Sequence, residues 1–348
     1  FRMDDSVEAR YVQDILIRTH CYWMKEVDVD GFRLDAVKHM DDEAISSFCS
    51  HVREYAYTLG KKNFFLFGEL VGSEEAYNRY IGPKTTVSVD GQNIYYGLNS
   101  VLDFPLYYFL ADVIKGKSSP ERLIERYDAL HNSALGRGEF GEFLVTFIDN
   151  HDQVGQTFKQ RFGAEATPEQ IIAGIGFLLC ALGTPCIYYG TEQGFNGAGE
   201  TDSSIREAMF SLEDESSNAL DTDNIVFQGI SKIAAISKKS AVLKFGHMHM
   251  RKTSTDERNF HLPVCSRCLI AFSRVLFDQE IVVAFNSSTT EEKEEYVSVK
   301  RQGHIENSFF KFLYGDTGKI KVLESPDYIG HYIKLHLKPM QFVILSNQ

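Results

Sequence analysis

Two spacings of apolar residues alternate through most of the chain. Apolar positions recurring every three to four residues form one face of a helix. They predict helices over residues 6–27, with Ser6 as the cap, and over 43–59, 106–115, 120–134, 168–182 and 225–240. Between them, short apolar runs predict strands at residues 31–35, 63–68, 100–105, 142–148 and 186–189, the second buried on both faces. Strands and helices in this alternation are typical of parallel β/α units.

The pattern changes after residue 243. Strand-like runs separated by polar turns cover residues 268–272, 280–285, 296–299, 309–313, 332–337 and 341–345. Such runs without intervening helices predict an antiparallel β-sandwich. We therefore expect two domains, an α/β domain over residues 1–243 and an all-β domain over residues 244–348.

Composition narrows the class of protein. Hydrophobic residues make up 43% and charged residues 24% of the 348 residues, as in ordinary globular proteins, and no run of 18 apolar residues occurs. The net charge of −12 and the lack of a Lys and Arg cluster argue against a nucleic acid partner. We expect a soluble protein without a membrane partner, either cytoplasmic or secreted. The Cys265-x-x-Cys268 pair has no second pair to complete a zinc site, and we interpret it as ordinary loop or strand.

Charged residues interrupt the first predicted strand, Gly31-Phe-Arg-Leu-Asp35. Side chains alternate between the two faces of a strand, so Phe32 and Leu34 face the helices and Arg33 faces the other side with Asp35. Inside a parallel barrel such charges are tolerable near the carboxyl ends of the strands, where active sites lie. The arginine is expected to keep Asp35 ionised.

Two further strands end in polar residues. Glu69 follows Phe64-Phe-Leu-Phe-Gly68, and Asp149-Asn-His-Asp152 follows Phe143-Leu-Val-Thr-Phe-Ile148. One such strand end has an ordinary explanation as a helix cap or loop carboxylate. Three in one chain predict a shared site of carboxylates at one end of the sheet.

Converging carboxylates suit retaining glycoside hydrolysis, which needs a nucleophile and an acid/base residue about 5 to 5.5 Å apart. Asp35, held by Arg33, fits the nucleophile. Glu69 follows an apolar strand, so burial is expected to raise its pKa, as a general acid requires. His151 and Asp152 are expected to bind sugar hydroxyls and stabilise the transition state.

The segments Gly31-FRLDAVK-His39, Phe67-Gly-Glu-Leu70 and Phe147-IDNH-Asp152, in this order, resemble the α-amylase family of glycoside hydrolases. The segment Gly183-TPCIYYGTEQG-Phe195 resembles the family's eighth barrel strand. The resemblance implies a (β/α)8 TIM barrel followed by a β-sandwich. It also implies Asp35 as nucleophile, Glu69 as acid/base and Asp152 as transition-state stabiliser.

The resemblance also implies a set of substrate-binding residues, namely Arg33, Lys38, His39, His151, Asp202 and Arg206. Asp202 and Arg206 resemble a pair that binds glucose on the non-reducing side, while Lys38 and His39 resemble contacts on the leaving-group side. Ordinary solvated surface charge is the alternative for Lys38, Asp202 and Arg206. The resemblance further implies structural Ca²⁺, with the His39 backbone carbonyl as one ligand and most other ligands upstream of Phe1.

One departure from the family concerns the barrel itself. Asp35 lies only 35 residues into the chain, where the family already has three strands and a loop domain before it. We expect a partial barrel, strands four to eight, because a barrel of five strands cannot close without exposing its edges. The missing part is expected either in a longer chain or in a separate partner segment.

Three functions stay open from the sequence. The first is hydrolysis of α-glucosidic bonds in starch, glycogen or maltooligosaccharides. The second is α-glucan transglycosylation, because the same carboxylates serve both reactions. The third is a truncated, non-catalytic chain that binds glucan.

Overall fold

The structure is a computed structural model that describes residues 7–73, 76–77, 80–81, 87–89, 92–94, 97–132, 140–153, 159–199, 201–211, 219–300, 308–324 and 330–348. The chain divides into two compact units. One contains Phe1–Pro105 and Ser133–Val145, and the other contains Leu106–Asn132 and Thr146–Gln348. The predicted cap Ser6 lies outside the described residues.

The described helices are α1 Val7–Val27, α2 Asp42–Thr58, α3 Phe104–Ile114, α4 Glu121–Asn132, α5 Pro168–Cys180, α6 Ile225–Lys239 and α7 Ala241–Phe245. The described strands are β1 Gly31–Leu34, β2 Phe65–Gly68, β3 Val87–Val89, β4 Gln92–Ile94, β5 Ser100–Leu102, β6 Leu144–Thr146, β7 Lys159–Gln160, β8 Thr184–Pro185, β9 Ala198–Gly199, β10 His247–Met250, β11 Thr253–Ser254, β12 Leu269–Leu276, β13 Gln279–Asn286, β14 Lys293–Val299, β15 Phe309–Tyr314, β16 Lys319–Lys321, β17 Leu323–Glu324, β18 His331–Leu337 and β19 Phe342–Ser346. All six predicted helices are therefore confirmed, with ends that differ by a few residues.

The first unit contains a parallel sheet in the order β1, β2, β5, β6. Gly31 of β1 is opposite Phe65 of β2, and Val101 of β5 is opposite Leu144 of β6. All these pairs are parallel, which confirms the predicted β/α pattern. Because the strands run the same way, their carboxyl ends meet at one edge.

Side-chain directions in β1 follow the predicted alternation. The Phe32 ring meets the His20 ring of α1 edge-on, with 5.0 Å between centroids.

The prediction that β2 is buried on both faces is wrong. Leu66 is buried, but Phe65 and Phe67 are only half-buried and stack at 5.7 Å on the other face, so an apolar run overstated the burial.

In the second unit, local sequence explains where the helices begin. The Thr167 hydroxyl accepts from the backbone N–H of Gln170, whose side chain accepts in return from the Thr167 backbone N–H. This capping box, with Pro168 at the first position, fixes the start of α5. Asn224 caps α6 with its side-chain oxygen alone, which accepts from the backbone N–H of Val226 at 2.8 Å.

Two antiparallel sheets form the C-terminal part of this unit, in the orders β10-β12-β13-β19-β15-β16 and β11-β14-β18-β17. They share one apolar core, to which β12 and β13 contribute from the first sheet and β14 and β18 from the second. The predicted antiparallel β-sandwich is thereby confirmed, while the domain boundary at residues 243/244 stays a prediction. Sequence patterns missed the short strands β10, β11, β16 and β17.

Arg274 of β12 joins the sandwich to helix α5. Its side chain is fully buried and donates to the carbonyls of Gly246, Cys180 and Ala181, at 2.8, 3.1 and 2.5 Å. The last two carbonyls end α5, where they have no partner within the helix. A buried cation therefore replaces the missing hydrogen bonds.

The predicted strand over Cys186–Tyr189 is wrong. The strand β8 lies two residues earlier, and Cys186 N donates to the Thr146 carbonyl at 2.8 Å. Cys186, Ile187 and Tyr189 are exposed, so their apolar character did not indicate burial.

Candidate active site

Strand β1 carries Arg33 and Asp35 to its carboxyl end. Arg33 belongs to the strand, and Asp35 follows in the turn. Nη1 of Arg33 donates to Oδ1 of Asp35 over 3.1 Å. The Asp35 side chain is 74% exposed, so its carboxylate can be approached from solvent.

Glu69 follows β2, the neighbouring strand. Its Oε2 accepts from Nη2 of Arg33 at 3.0 Å and from the backbone N–H of Ala36 at 3.4 Å. Its backbone is fixed on both sides, since Glu69 N donates to Leu34 O and Val37 N donates to Glu69 O. One arginine therefore contacts two carboxylates, because parallel pairing places the ends of β1 and β2 side by side.

The pKa of Glu69 is raised above its ordinary value, as predicted from the sequence. Burial is the largest cause, and a hydrogen bond with the Asp35 carboxyl adds to it. The Ala36 N–H and the charge of Arg33 act in the opposite direction. The raised pKa favours the protonated form of the more buried Glu69, beside an exposed Asp35. This is the division of roles that a general acid and a nucleophile need.

Lys38 and His39 lie just after this pair. They belong to the short 3-10 helix Val37–His39, which Ala36 enters with a left-handed φ of 47°. Both side chains are exposed, where they can reach a bound ligand.

The calcium ion that the family resemblance implies stays a prediction, because most of its ligands are expected upstream of Phe1. Ca²⁺ takes six to eight oxygen ligands. No three His, Cys, Asp or Glu side chains in the described ranges are grouped so as to hold a metal ion. The His39 carbonyl alone does not make a site.

In the second unit, the polar residues after β6 form a tight turn. Oδ1 of Asn150 accepts from the backbone N–H groups of Asp152, at 2.9 Å, and Gln153, at 2.6 Å. Nε2 of His151 lies 3.3 Å from Oδ2 of Asp152. We call residues 150–153 the Asp152 turn. His151 and Asp152 are both partly exposed at its surface.

Arg206 and Asp202 approach the Asp152 turn by different routes. Nη2 of Arg206 donates to Oδ1 of Asp152 at 2.6 Å, and its Nε donates to the His151 carbonyl at 2.9 Å. Asp202 pairs instead with Lys159, at 3.4 Å. The structure thus brings Arg206 to the third predicted catalytic carboxylate, in addition to any role in binding sugar.

A buried ion pair lies beneath the turn. Nε of Arg161 donates to Oδ2 of Asp149 at 3.3 Å, and both side chains are at most 1% exposed. The guanidinium also contacts Glu207 at 3.4 Å and lies 4.4 Å from the Tyr188 ring centroid. Asp149 accepts from Gln153 Nε2 at 2.6 Å. Arg161 therefore links the segment after β6 to the segment after β8.

Burial raises the pKa of Asp149 to about 6, although Arg161 lowers it. The carboxyl is thus ionised at neutral pH and protonated in mild acid. Sequence reasoning included Asp149 in a polar cluster without giving it a role, and it missed Lys159, Arg161 and Glu207. The sequence pointed to Asp149 through its position in the motif, whereas the other three residues reach the site only through the fold.

None of the helices formed by the described residues combines the length and apolar composition needed to span a bilayer.

Comparison with known proteins identifies relatives of the chain. The sequence pattern of the family described as "Alpha amylase, catalytic domain" matches residues 4–228. An α-amylase of Streptomyces lividans is 27% identical over 322 residues, which cover 86% of this chain and 32% of that protein. A cyclomaltodextrin glucanotransferase of Klebsiella oxytoca is 28% identical over 246 residues, covering 65% of this chain and 35% of that protein. The chain therefore spans about a third of the length of these curated relatives.

The fold resembles that of a solved α-amylase. The crystal structure of an Anoxybacillus α-amylase superposes with a TM-score of 0.70 at 20% sequence identity. The superposition covers 98% of this chain and 64% of that one.

Proposed function

The chain belongs to the α-amylase family, and from this premise we propose that it cleaves α-glucosidic bonds with retention of configuration. The substrates would be starch, glycogen or maltooligosaccharides. The observation that carries the proposal is the cluster of Arg33, Asp35 and Glu69, in which one carboxyl is exposed and the other is half-buried with a raised pKa.

The proposed reaction has two steps. In the first, a carboxylate oxygen of Asp35 bonds to the anomeric carbon while the glycosidic C–O bond breaks and Glu69 gives its proton to the leaving oxygen. In the second, Glu69 takes a proton from water, the water oxygen bonds to the anomeric carbon, and Asp35 leaves. Atoms and charges balance, and Glu69 ends the cycle protonated.

Other residues would hold the substrate and the reacting groups. Arg33 keeps Asp35 in place through their 3.1 Å contact. Following the family resemblance, we assign Asp152 to stabilising the transition state and His151 to the sugar being cleaved. Lys38 and His39 would contact the leaving-group side, and Asp202 and Arg206 the non-reducing side.

We also infer that β1, β2, β5, β6 and β8 correspond to the fourth to eighth strands of a (β/α)8 barrel. The parallel pairing of the strands in the first unit and the family match support this inference. A calcium ion with the His39 carbonyl as a ligand would be structural, and no step above depends on it.

Transglycosylation is the second candidate. The observation that favours it is the 28% identity with a cyclomaltodextrin glucanotransferase. Here a sugar hydroxyl would replace water in the second step, and Glu69 would act as base in the same way.

A turnover assay tests the proposal. Starch and maltooligosaccharides are incubated with the 348-residue chain and with the full gene product, and the products are separated by chromatography. Shorter glucans indicate hydrolysis, and longer or cyclic ones indicate transfer. Full activity of the Asp35→Asn variant would refute the nucleophile assignment, and glucan binding without turnover by the full gene product would favour the non-catalytic alternative.

A further inference from the structure

Lys159 lies at the start of β7 with its ammonium group pointed at the Asp152 turn. Nζ donates to the carbonyls of Asp152 and, at 3.1 Å, Gln153. It also lies 3.4 Å from Oδ1 of Asp202. The two carbonyls accept hydrogen bonds from the ammonium group, while the Asp202 carboxylate oxygen contacts it as an ion pair without accepting a hydrogen bond. The side chain is only 18% exposed, so these contacts are shielded from water.

The Asp152 turn presents three successive carbonyls to two cations. Arg206 Nε donates to the carbonyl of His151 at 2.9 Å, and Lys159 Nζ donates to the carbonyls of Asp152 and Gln153. Gln153 has a left-handed φ of 48°, a conformation that costs a residue with a side chain free energy. The turn therefore needs external contacts to keep its shape.

Lys159 also connects the turn to the segment that holds Asp202. Lys159 pairs with Gly199 in the short ladder between β7 and β9. Gly199 lies three residues before Asp202. One side chain thus touches the backbone of a proposed catalytic residue and the carboxylate of a proposed substrate-binding residue.

We propose that Lys159 is a positioning residue for the Asp152 turn. Its ammonium group fixes the backbone from which the Asp152 carboxylate projects, and it holds Asp202 in register with that carboxylate. This role rests on the proposed function, because positioning matters only if Asp152 acts on a sugar.

The two accepting carbonyls and the ionic partner Asp202 explain why the residue is a lysine. Two carbonyl oxygens and a carboxylate oxygen favour a full positive charge. A guanidinium presents its donors in a planar fork and does not match two carbonyls and a carboxylate grouped around one point. A neutral side chain of the same length, such as methionine, donates no hydrogen bond.

Kinetics of the full gene product provide the first test. Misplacement of a catalytic group by about 1 Å costs about 100-fold in rate, so we expect Lys159→Met to lower kcat for maltoheptaose by about that factor. KM is expected to rise as well, but by a smaller factor, because Asp202, a proposed substrate-binding residue, loses its ion-pair partner. In Lys159→Ala, added methylammonium is expected to restore part of kcat, because a free cation can enter the vacated space. Lys334→Met, which removes a lysine paired with Glu294 at 2.7 Å on the sandwich, is the matched control and is expected to keep the parent kcat.

Hydrogen exchange provides a test that does not need turnover. The amides of Asp152 and Gln153 are held by Asn150 within the turn. We expect both to exchange faster in Lys159→Met and at the parent rate in Lys334→Met. Should Lys159→Met fail to fold, Lys159→Arg is measured in the same way, and faster exchange with lower kcat is again expected.

The two readouts separate the possible failures. Unchanged exchange in the Lys159 variants overturns the positioning role whether or not the enzyme is active. Faster exchange with unchanged kcat also overturns it, since the turn would then move without consequence. If the parent protein shows no turnover on any α-glucan, the proposed function fails, and the positioning role fails with it.

Discussion

Glu69→Gln is the substitution that tests the proposed general acid most cleanly. The amide has the shape of the carboxyl and keeps an oxygen that can accept from Arg33. In the parent protein, Nη2 of Arg33 lies 3.0 Å from Oε2 of Glu69. It has no proton to give to the leaving oxygen. The variant therefore removes the chemistry and keeps the contacts of the β2 end.

The size of the effect follows from the environment of Glu69. General acid–base catalysis contributes about 10²- to 10⁴-fold, or about 3 to 5 kcal/mol of the barrier. The Glu69 side chain is only 14% exposed, so water has little access to replace the missing proton donor. We therefore expect a loss of kcat/KM near the upper end, about 10³- to 10⁴-fold, on maltoheptaose.

The assay compares two leaving groups. Fluoride departs without being protonated, so α-maltosyl fluoride with azide as acceptor needs neither the acid nor the base. With this substrate pair we expect Glu69→Gln to lose about tenfold or less, since only acid–base assistance was removed. Glu69→Ala serves as a comparison that also removes the partner of Arg33. An equal loss on maltoheptaose and on the fluoride would refute the assignment of Glu69 as acid/base.

Three further predictions concern pH and stability. Burial raises the pKa of Glu69 and Arg33 lowers it, so activity should fall as pH rises through that pKa. Arg33→Met should shift this alkaline limb of the kcat/KM profile to higher pH. A shift to lower pH would contradict the electrostatics. Arg274→Met leaves three buried carbonyls without their donor. It should lower the free energy of unfolding, measured in urea, by about 3 kcal/mol. Arg258→Met, at an exposed position, is the control and should lower it by less than about 0.5 kcal/mol. Arg161→Met should lower the free energy of unfolding by about 3 to 5 kcal/mol at pH 8 and by less at pH 5. The reason is that its buried partner Asp149, with a pKa of about 6, is protonated in the folded protein at pH 5. An equal loss at both pH values would show that Asp149 is not charged.

The proposed catalytic carboxylates were readable from sequence because strand geometry is local. Period-two alternation in β1 separates Phe32 from Arg33, and an apolar strand before Glu69 predicts burial of its carboxyl. Both inferences need only a few consecutive residues. The structure bears them out in the Phe32 contact with His20 and in the raised pKa of Glu69.

Contacts between distant segments were not readable in this way. Lys159 reaches Asp202, and Arg161 reaches Asp149 and Glu207, only after the chain has folded. Nothing in the spacing of these residues indicates that they meet. The same limit explains the wrong strand at residues 186–189, since an apolar run does not state whether another segment covers it.

Covalent labelling at Asp35 tests the central claim most directly. A 5-fluoro-α-glucosyl fluoride forms the glycosyl–enzyme bond and slows its hydrolysis, so the adduct can be located by mass spectrometry of a proteolytic digest. We expect the label on the peptide that contains residues 28–40, at Asp35, and no label in Asp35→Asn. A label on another carboxylate, or turnover without any adduct, would contradict the account.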